Sequence, residues 1–450
     1  MTKGRQQHND PNRPQERHID KAQFKQIFRD HWDDFKAEHP RYNTPYYDSI
    51  IQKMLNCGDP EKMGFLQYRC CYCGETRKIG FSCKCCFCLS CAKVYTDSWV
   101  DFIGRRLLPG VTYRHIVLTV PKYLHHWFYR YPDLLLSPLM RSGNACLKDV
   151  FNLIKKNPLK IGTVIVVQTS GRAGNFNPHL HILVTAGGID KNVKWCDIDY
   201  IPYELLHKKW QYYLLQMLRQ HVKDPKVKKD IDYCWKNYND GFVAFVQPGD
   251  VPPGGKGLAQ YLAKYLVSPP ISVRRIEQYD GKNVRYWYRD HLTESIQKVS
   301  LPVLKFIGRM VQHILPKGFQ RIRYYGLHGN RCYEIMREQI QTLLPPNNQK
   351  EDPLGFRVLP RKSFVQLFFE AFNKNPLLCP RCKEEMDLEL IYHPKYGTMR
   401  HFFDEDFEKY NAQQKEKQKK EKEIKRASSQ LGRRSMDRSE QLVLLPLQKL

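Results

Sequence analysis

The sequence predicts an α+β chain with a small cysteine-rich, zinc-binding module ahead of its main sheet. Three observations carry that prediction. Two β-branched runs, 162–168 and 179–185, flank Ser170-Gly171-Arg172-Ala173-Gly174-Asn175 and read as an antiparallel hairpin. Segments with apolar residues three and four apart surround them and read as helices. Nine of the 15 Cys lie between Cys57 and Cys91. Their Cys-x-x-Cys spacings suit a metal better than a disulfide framework.

The elements follow in order. Residues 1–20 are polar and read as a disordered N-terminus. Phe24, Ile27, Phe28, Trp32 and Phe35 predict a helix over 21–37, and Ile50, Ile51, Met54 and Leu55 a second over 46–55. The cysteine cluster reads mostly as turns, with a helix over 92–107 after it. Residues 114–120 are β-branched and closed by Pro121, which predicts a strand. Residues 123–158 look helical. The strand 179–185 is expected to stop at Ala186-Gly187-Gly188. A helix is expected over 203–221 and a strand over 242–246. The loop Pro252-Pro253-Gly254-Gly255-Lys256-Gly257 feeds a helix carrying Tyr261 and Tyr265, which ends before Pro269-Pro270. A strand at 285–288, a helix at 304–314 and a basic strand at 320–325 complete the series. From residue 405 onward Lys and Glu alternate, the signature of a solvated, largely disordered tail. The domains expected are a helical and zinc-binding part over 21–107, a catalytic part over 108–330, and a C-terminal region over 331–404.

Charge narrows the function classes. The chain has 450 residues, with 73 Lys plus Arg against 46 Asp plus Glu, a net +27. Such a surplus favours a polyanionic partner, because neutralising phosphates releases counterions. No run approaches the ~18 apolar residues of a membrane span. The polar N-terminus has no signal-peptide core, and the cysteine usage suits a reducing cytosol.

Two motifs carry the chemistry. In His179-Leu180-His181, strand alternation turns both imidazoles to one face, where they can hold one divalent cation. Gln168, on the preceding strand, is a candidate third ligand; His115, on an earlier strand, is its rival, and parity alone does not choose. Such a set suits Mg2+ or Mn2+, which would polarise a phosphate. In Tyr261-Leu262-Ala263-Lys264-Tyr265, helical spacing puts two phenols on one face. A phenol, with pKa about 10, becomes a usable nucleophile when positioned beside a cation. Tyrosyl attack conserves the phosphodiester energy, and no phosphate-binding loop of the G-x-x-x-x-G-K-[ST] type occurs, so no nucleotide cofactor is expected. Lys264, Arg321, Arg323 and Tyr325, with Tyr324, combine charge and stacking surface suited to single-stranded DNA.

Among the cysteines, Cys70-x-x-Cys73 followed by Cys88-x-x-Cys91 reads as a four-thiolate structural zinc site. Cys57 and Cys83 are candidates for a second site or a replacement ligand, and Cys71, Cys85 and Cys86 read as passengers. Cys379-Pro380-Arg381-Cys382 is a single knuckle that His393 or His401 could complete; alone it reads as degenerate.

These residues resemble the HUH-type two-tyrosine rolling-circle transposases of bacterial insertion sequences (insertion sequence family ninety-one). The resemblance covers most of residues 20–330. It rests on Tyr68-x-Cys70-x-x-Cys73-Gly74, Cys88-x-x-Cys91, Arg114-His115-Ile116, Asn177-Pro178-His179-Leu180-His181, Tyr261-Leu262-Ala263-Lys264-Tyr265, Phe306-Ile307-x-Arg309, His313-Ile314 and Ile322-Arg323-Tyr324-Tyr325-Gly326. It implies an antiparallel sheet flanked by helices, with the His pair on a central strand. It implies nicking and rejoining of single-stranded DNA at insertion-sequence ends through a 5′-phosphotyrosine, in the bacterial cytoplasm. Where relatives often carry His, this chain has Gln168. The alternatives are a zinc-dependent DNA-binding protein without catalysis, and a plasmid replication initiator or relaxase with the same chemistry.

Overall fold

The computed structural model describes residues 22–91, 102–104, 106–108, 110–247, 270–290, 293–344, 375–404 and the single positions 366, 416 and 420. Its strands are β1 (Phe65–Arg69), β2 (Thr76–Gly80), β3 (Tyr113–Thr119), β4 (Lys160–Ser170), β5 (Phe176–Ile189), β6 (Trp195–Asp197), β7 (Ala244–Val246), β8 (Ile276–Tyr279), β9 (Asn283–Arg289), β10 (Ile296–Pro302), β11 (Ile322–Gly326), β12 (Asp387–His393) and β13 (Gly397–His401). Two compact units result, one of residues 1–55 and 83–374, the other of 56–82 and 375–450. The segment expected to form one domain over 21–107 is thus divided, and the C-terminal region contributes to the second unit. Among the described residues no helix is long and apolar enough to cross a membrane.

The larger unit is built on an antiparallel sheet in the order β11-β4-β5-β3-β7, with β6 on the far end of β5. The expected hairpin is β4–β5, and β5 is central. It does not stop at Ala186. It runs on to Ile189 because Gly187 and Gly188 pair with Asp197 and Cys196 of β6. One face of the sheet is mainly apolar. Leu118, Ile165, Val167, Leu180, Ile182 and Val184 pack there with the helices Pro132–Lys155 and Tyr203–His221. Burying each such side chain stabilises by roughly 1.5–3 kcal/mol. The helix comes very close at Gly143, where a Cβ would lie 2.6 Å from Leu180 Cδ1.

The opposite face is split along its length. Toward one end, Tyr113, Val164, Val166, Leu183 and Leu327 form a second apolar cluster with the helix Tyr333–Leu343. Toward the other end the same face carries His179, His181, Gln168 and His115. Alternation fixes this: Val117 lies opposite His181 on β3, and Gln168 lies opposite His179 on β4.

The helix Val303–Val311 secures the β4–β5 turn. Arg309 Nη1 donates to Ala173 O at 3.3 Å and to Tyr286 Oη at 2.6 Å, and Tyr286 Oη donates to the same carbonyl at 2.9 Å. Gln312 Nε2 donates to Gly174 O at 3.0 Å, and His313 Nε2 lies 3.0 Å from that oxygen. Phe306 and Ile307 are fully buried, facing the helix Gln23–Glu38 and the meander β8–β9–β10. Arg309, Gln312 and His313 therefore hold the loop that enters the His strand, while Phe306 and Ile307 anchor the helix that carries Arg309.

The smaller unit is an antiparallel sheet in the order β13-β12-β1-β2. The region read as turns contains the hairpin β1–β2, and β12 joins it from the C-terminal region. Glu389 on β12 is buried and accepts from Gln67 Nε2 (2.9 Å) and Arg69 Nε (2.8 Å). These bonds offset the cost of burying a carboxylate, and the Arg69 and Gln67 donors hold it below the usual carboxylate range although burial pushes the other way.

Candidate metal centre and cysteine clusters

Three polar atoms converge on the polar end of the sheet. His179 Nε2 lies 3.1 Å from His181 Nε2, which lies 2.9 Å from Gln168 Oε1. The tautomers follow from the outer partners. His179 Nδ1 is 2.7 Å from Asn177 O, a carbonyl, so Nδ1 carries the proton and Nε2 a lone pair. Behind His181 stands His115, with His115 Nε2 3.0 Å from His181 Nδ1 and His115 Nδ1 3.2 Å from Gln247 Oε1. One consistent chain of donors runs His181 Nδ1–H to His115, then His115 Nδ1–H to Gln247. That leaves His181 Nε2 as a second lone pair. In this tautomer the two nitrogens and the amide oxygen present lone pairs toward one point, the arrangement a cation would accept.

Burial pulls the imidazoles of His179, His181 and His115 below their usual pKa. For His181 the charges of His179, His115 and Arg321 add to it. Neutral imidazoles are what a cation needs as ligands. Gln168, the candidate third ligand, faces the pair. His115 does not: it holds His181 in orientation, the outer-shell role that fixes a ligand's tautomer. Gln247 completes that role from both sides, since its backbone N–H also donates to His115 O at 3.0 Å. Nothing in the sequence marked Gln247, which lies just after the short strand β7.

Of the expected DNA-contacting residues, Arg321 is beside the cluster: its guanidinium donates to Val167 O at 3.2 Å and its charge acts on His179 and His181. Arg323 and Tyr325 lie on the other face. On β11 they sit opposite Ile165 and Thr163, so they point to the helix layer. Arg323 Nη2 donates to Ser137 Oγ at 2.6 Å, and Tyr325 packs against the main apolar core. They are not part of the His face. Tyr324 faces the other way and stacks under Arg106 at 4.5 Å. Tyr261, Lys264 and Tyr265 lie outside the described residues.

The cysteines are grouped differently from the sequence reading. Cys70 and Cys73 gather with Cys379 and Cys382 in the smaller unit, all four thiols within 4.8 Å of one another. Cys88 and Cys91 gather with Cys83 in the larger unit, Cys83 Sγ lying 3.5 Å from Cys91 Sγ. The set Cys70, Cys73, Cys88 and Cys91 is therefore not one site. Spacing along the chain identified the knuckles but not which knuckles pair. Neither His393 nor His401 completes the knuckle at Cys379.

Known proteins bear on both features. The model of the family described as "Putative transposase" matches residues 162–334, spanning Gln168, His179, His181, Tyr261 and Tyr265. The model described as "Transposase zinc-binding domain" matches residues 27–120. The "Transposase for insertion sequence element IS801" of Pseudomonas savastanoi pv. phaseolicola is 32% identical over 351 residues, 75% of this chain and 82% of that protein. The "Putative transposase y4qJ" of Sinorhizobium fredii (strain NBRC 101917 / NGR234) is 25% identical over 377 residues, 80% of this chain and 92% of that protein. No solved structure matches significantly. Both family models and both relatives are transposases or transposase domains. The chain belongs to the transposases of insertion sequence family ninety-one, and its cysteine clusters with the matching zinc-binding domain support structural zinc.

Proposed function

We propose that this chain nicks and rejoins single-stranded DNA at insertion-sequence ends, with Tyr261 and Tyr265 as nucleophiles and a 5′-phosphotyrosine intermediate. The observation that carries the reading is the convergence of His179 Nε2, His181 Nε2 and Gln168 Oε1 on one point of the central strand. The donor set fits Mn2+ or Mg2+: two neutral imidazoles and a neutral amide leave the cation's full charge for phosphate oxygens and leave positions open. Bound there, the cation supplies Lewis-acid polarisation of the scissile phosphate.

The chain's own residues do the rest. His115 and Gln247 hold His181 with Nε2 unprotonated. Arg321 adds positive charge beside the phosphate site. A tyrosine oxygen attacks phosphorus, the O3′ bond breaks, and the 3′-hydroxyl leaves free; its later attack on the phosphotyrosine restores a phosphodiester and the phenol. Two tyrosines allow two such transfers in one site.

The net charge of +27 fits a DNA partner. The test is incubation with a single-stranded end oligonucleotide and Mn2+ or Mg2+, followed by a denaturing gel and peptide mapping of the modified residue. A covalent adduct on Tyr261 or Tyr265 is expected, lost in the Tyr261→Phe, Tyr265→Phe double variant. DNA binding without any adduct would leave only a zinc-stabilised DNA-binding protein.

A further inference from the structure

We infer that Cys70, Cys73, Cys379 and Cys382 form a single structural zinc site assembled from the two ends of the chain. This site stands independently of the transposition chemistry. Cys379 and Cys382 lie outside both stretches that match the family models, 27–120 and 162–334.

The distances argue for a metal. Cys70 Sγ is 3.4 Å from Cys382 Sγ, and Cys73 Sγ is 3.6 Å from Cys379 Sγ and 3.5 Å from Cys382 Sγ. A disulfide needs about 2.05 Å. A tetrahedron of thiolates about 2.3 Å from zinc has edges of about 3.8 Å. The thiols sit near the second value.

The backbone argues for it independently, because the two knuckles are built alike. The N–H of Gly74 donates to Cys70 O at 2.9 Å, and the N–H of Lys383 to Cys379 O at 3.0 Å. The N–H of Cys70 donates to Glu75 O at 2.9 Å, and the N–H of Cys379 to Glu384 O at 2.8 Å. The fifth residue of each knuckle is left-handed, Gly74 at φ +74° and Lys383 at φ +67°. The Glu75 amide faces the Cys73 thiol as the Glu384 amide faces the Cys382 thiol. Backbone N–H groups aimed at sulfur stabilise thiolate charge. Two matching turns, each presenting a Cys pair toward the other, make a closed four-sulfur cage.

Among the described residues the apolar core of this unit is small. Its buried cluster consists of Tyr68, Cys70, Cys379 and Met386, with Leu66, Ile79, Leu377 and Leu388 packed around them. Cores this small depend on a metal or a crosslink. Zinc here ties the hairpin β1–β2 to β12.

The test measures zinc on the full chain together with thiol protection. Cys70→Ser, Cys73→Ser is expected to lose one zinc per chain, Cys379→Ser, Cys382→Ser to lose one, and the quadruple variant to lose one rather than two. Loss of two, or no loss from the Cys379 pair, overturns the site. Because serine variants can misfold, the unmodified protein is also alkylated during stepwise chelation and mapped by mass spectrometry. All four thiols are expected to become reactive in the same step. Labelling of Cys379 and Cys382 in zinc-loaded protein, with Cys70 and Cys73 still protected, sinks the idea.

Discussion

His115 and His181 lie edge to edge, with Nε2 of the first 3.0 Å from Nδ1 of the second and ring planes only 8° apart. Nearly parallel rings at this separation are compatible with an N–H···N bond between them. The ring of His115 therefore sets the direction in which His181 presents its other nitrogen.

His115→Ala removes that constraint without touching the converging lone pairs. Outer-shell losses of this kind cost about 10–100-fold in metal affinity or activity. Adduct formation by His115→Ala should need correspondingly more Mn2+, with the maximal rate at saturating Mn2+ recovering toward the parent. Unchanged metal dependence would remove His115 from the site.

Gln168→Glu replaces a neutral ligand by a carboxylate. Cation affinity follows ligand charge, so Mn2+ should bind tighter, on the order of 10-fold. Gln168→Ala should weaken it. Titration followed by the electron-spin resonance of free Mn2+ reads both; equal affinities in all three proteins would exclude Gln168 as a ligand.

Acid should destabilise the larger unit well before its carboxylates titrate. Burial holds His313 down at about 4 and His328 at about 3. Unfolded, each returns to about 6.5. The unfolded chain thus binds more protons below pH 6.5, and the stability present above that value is lost as pH falls toward the folded pKa. At pH 5 the loss is about 2 kcal/mol per histidine. Urea midpoints measured between pH 8 and 5 should fall accordingly, and His328→Phe should flatten the slope by about one proton.

Arg321 and Arg323, two residues apart, should behave differently. Arg321→Ala should slow adduct formation, since its charge reaches the His pair. Arg323→Ala should lower thermal stability through the lost bond to Ser137 and leave the adduct rate unchanged. Tyr325→Phe deletes a buried hydroxyl that has no partner among the described residues and should be neutral or stabilising. Slower adduct formation by Arg323→Ala at equal stability would return it to the DNA-binding surface.

Lys383 occupies a left-handed conformation that Gly74 fills in the matching knuckle. The strain of a side chain there costs about 1 kcal/mol. Lys383→Gly should slow zinc loss to a chelator, and Gly74→Ala should hasten it.

Much of this was legible in the residues. The β-branched runs marked β3, β4 and β5, and alternation placed His179 and His181 on one face. Placing Gln168 beside His179 and His115 behind His181 required the register, because each is on a different neighbour of β5. The face taken by Arg323 and Tyr325 was hidden for the same reason. A basic aromatic strand does not reveal which face it gives to its partner until Ile165 and Thr163 are known to lie opposite. The helix Lys226–Asn237 escaped notice because it buries only Val227, Ile231 and Cys234 among many charges. The cysteine pairs were visible, but local spacing carries no information about a partner 306 residues away.

That separation has a consequence in time. Phe65–Arg69 takes its second neighbouring strand, Asp387–His393, from the far end of the chain. A ribosome adding about 5–20 residues per second leaves this strand with one open edge for roughly 15–60 seconds. A transcript cut short before Asp387 yields a polypeptide that keeps the whole histidine face yet never closes its smaller sheet. Only copies translated past His401 acquire that sheet, so a truncated gene should betray itself first by proteolysis at the hairpin.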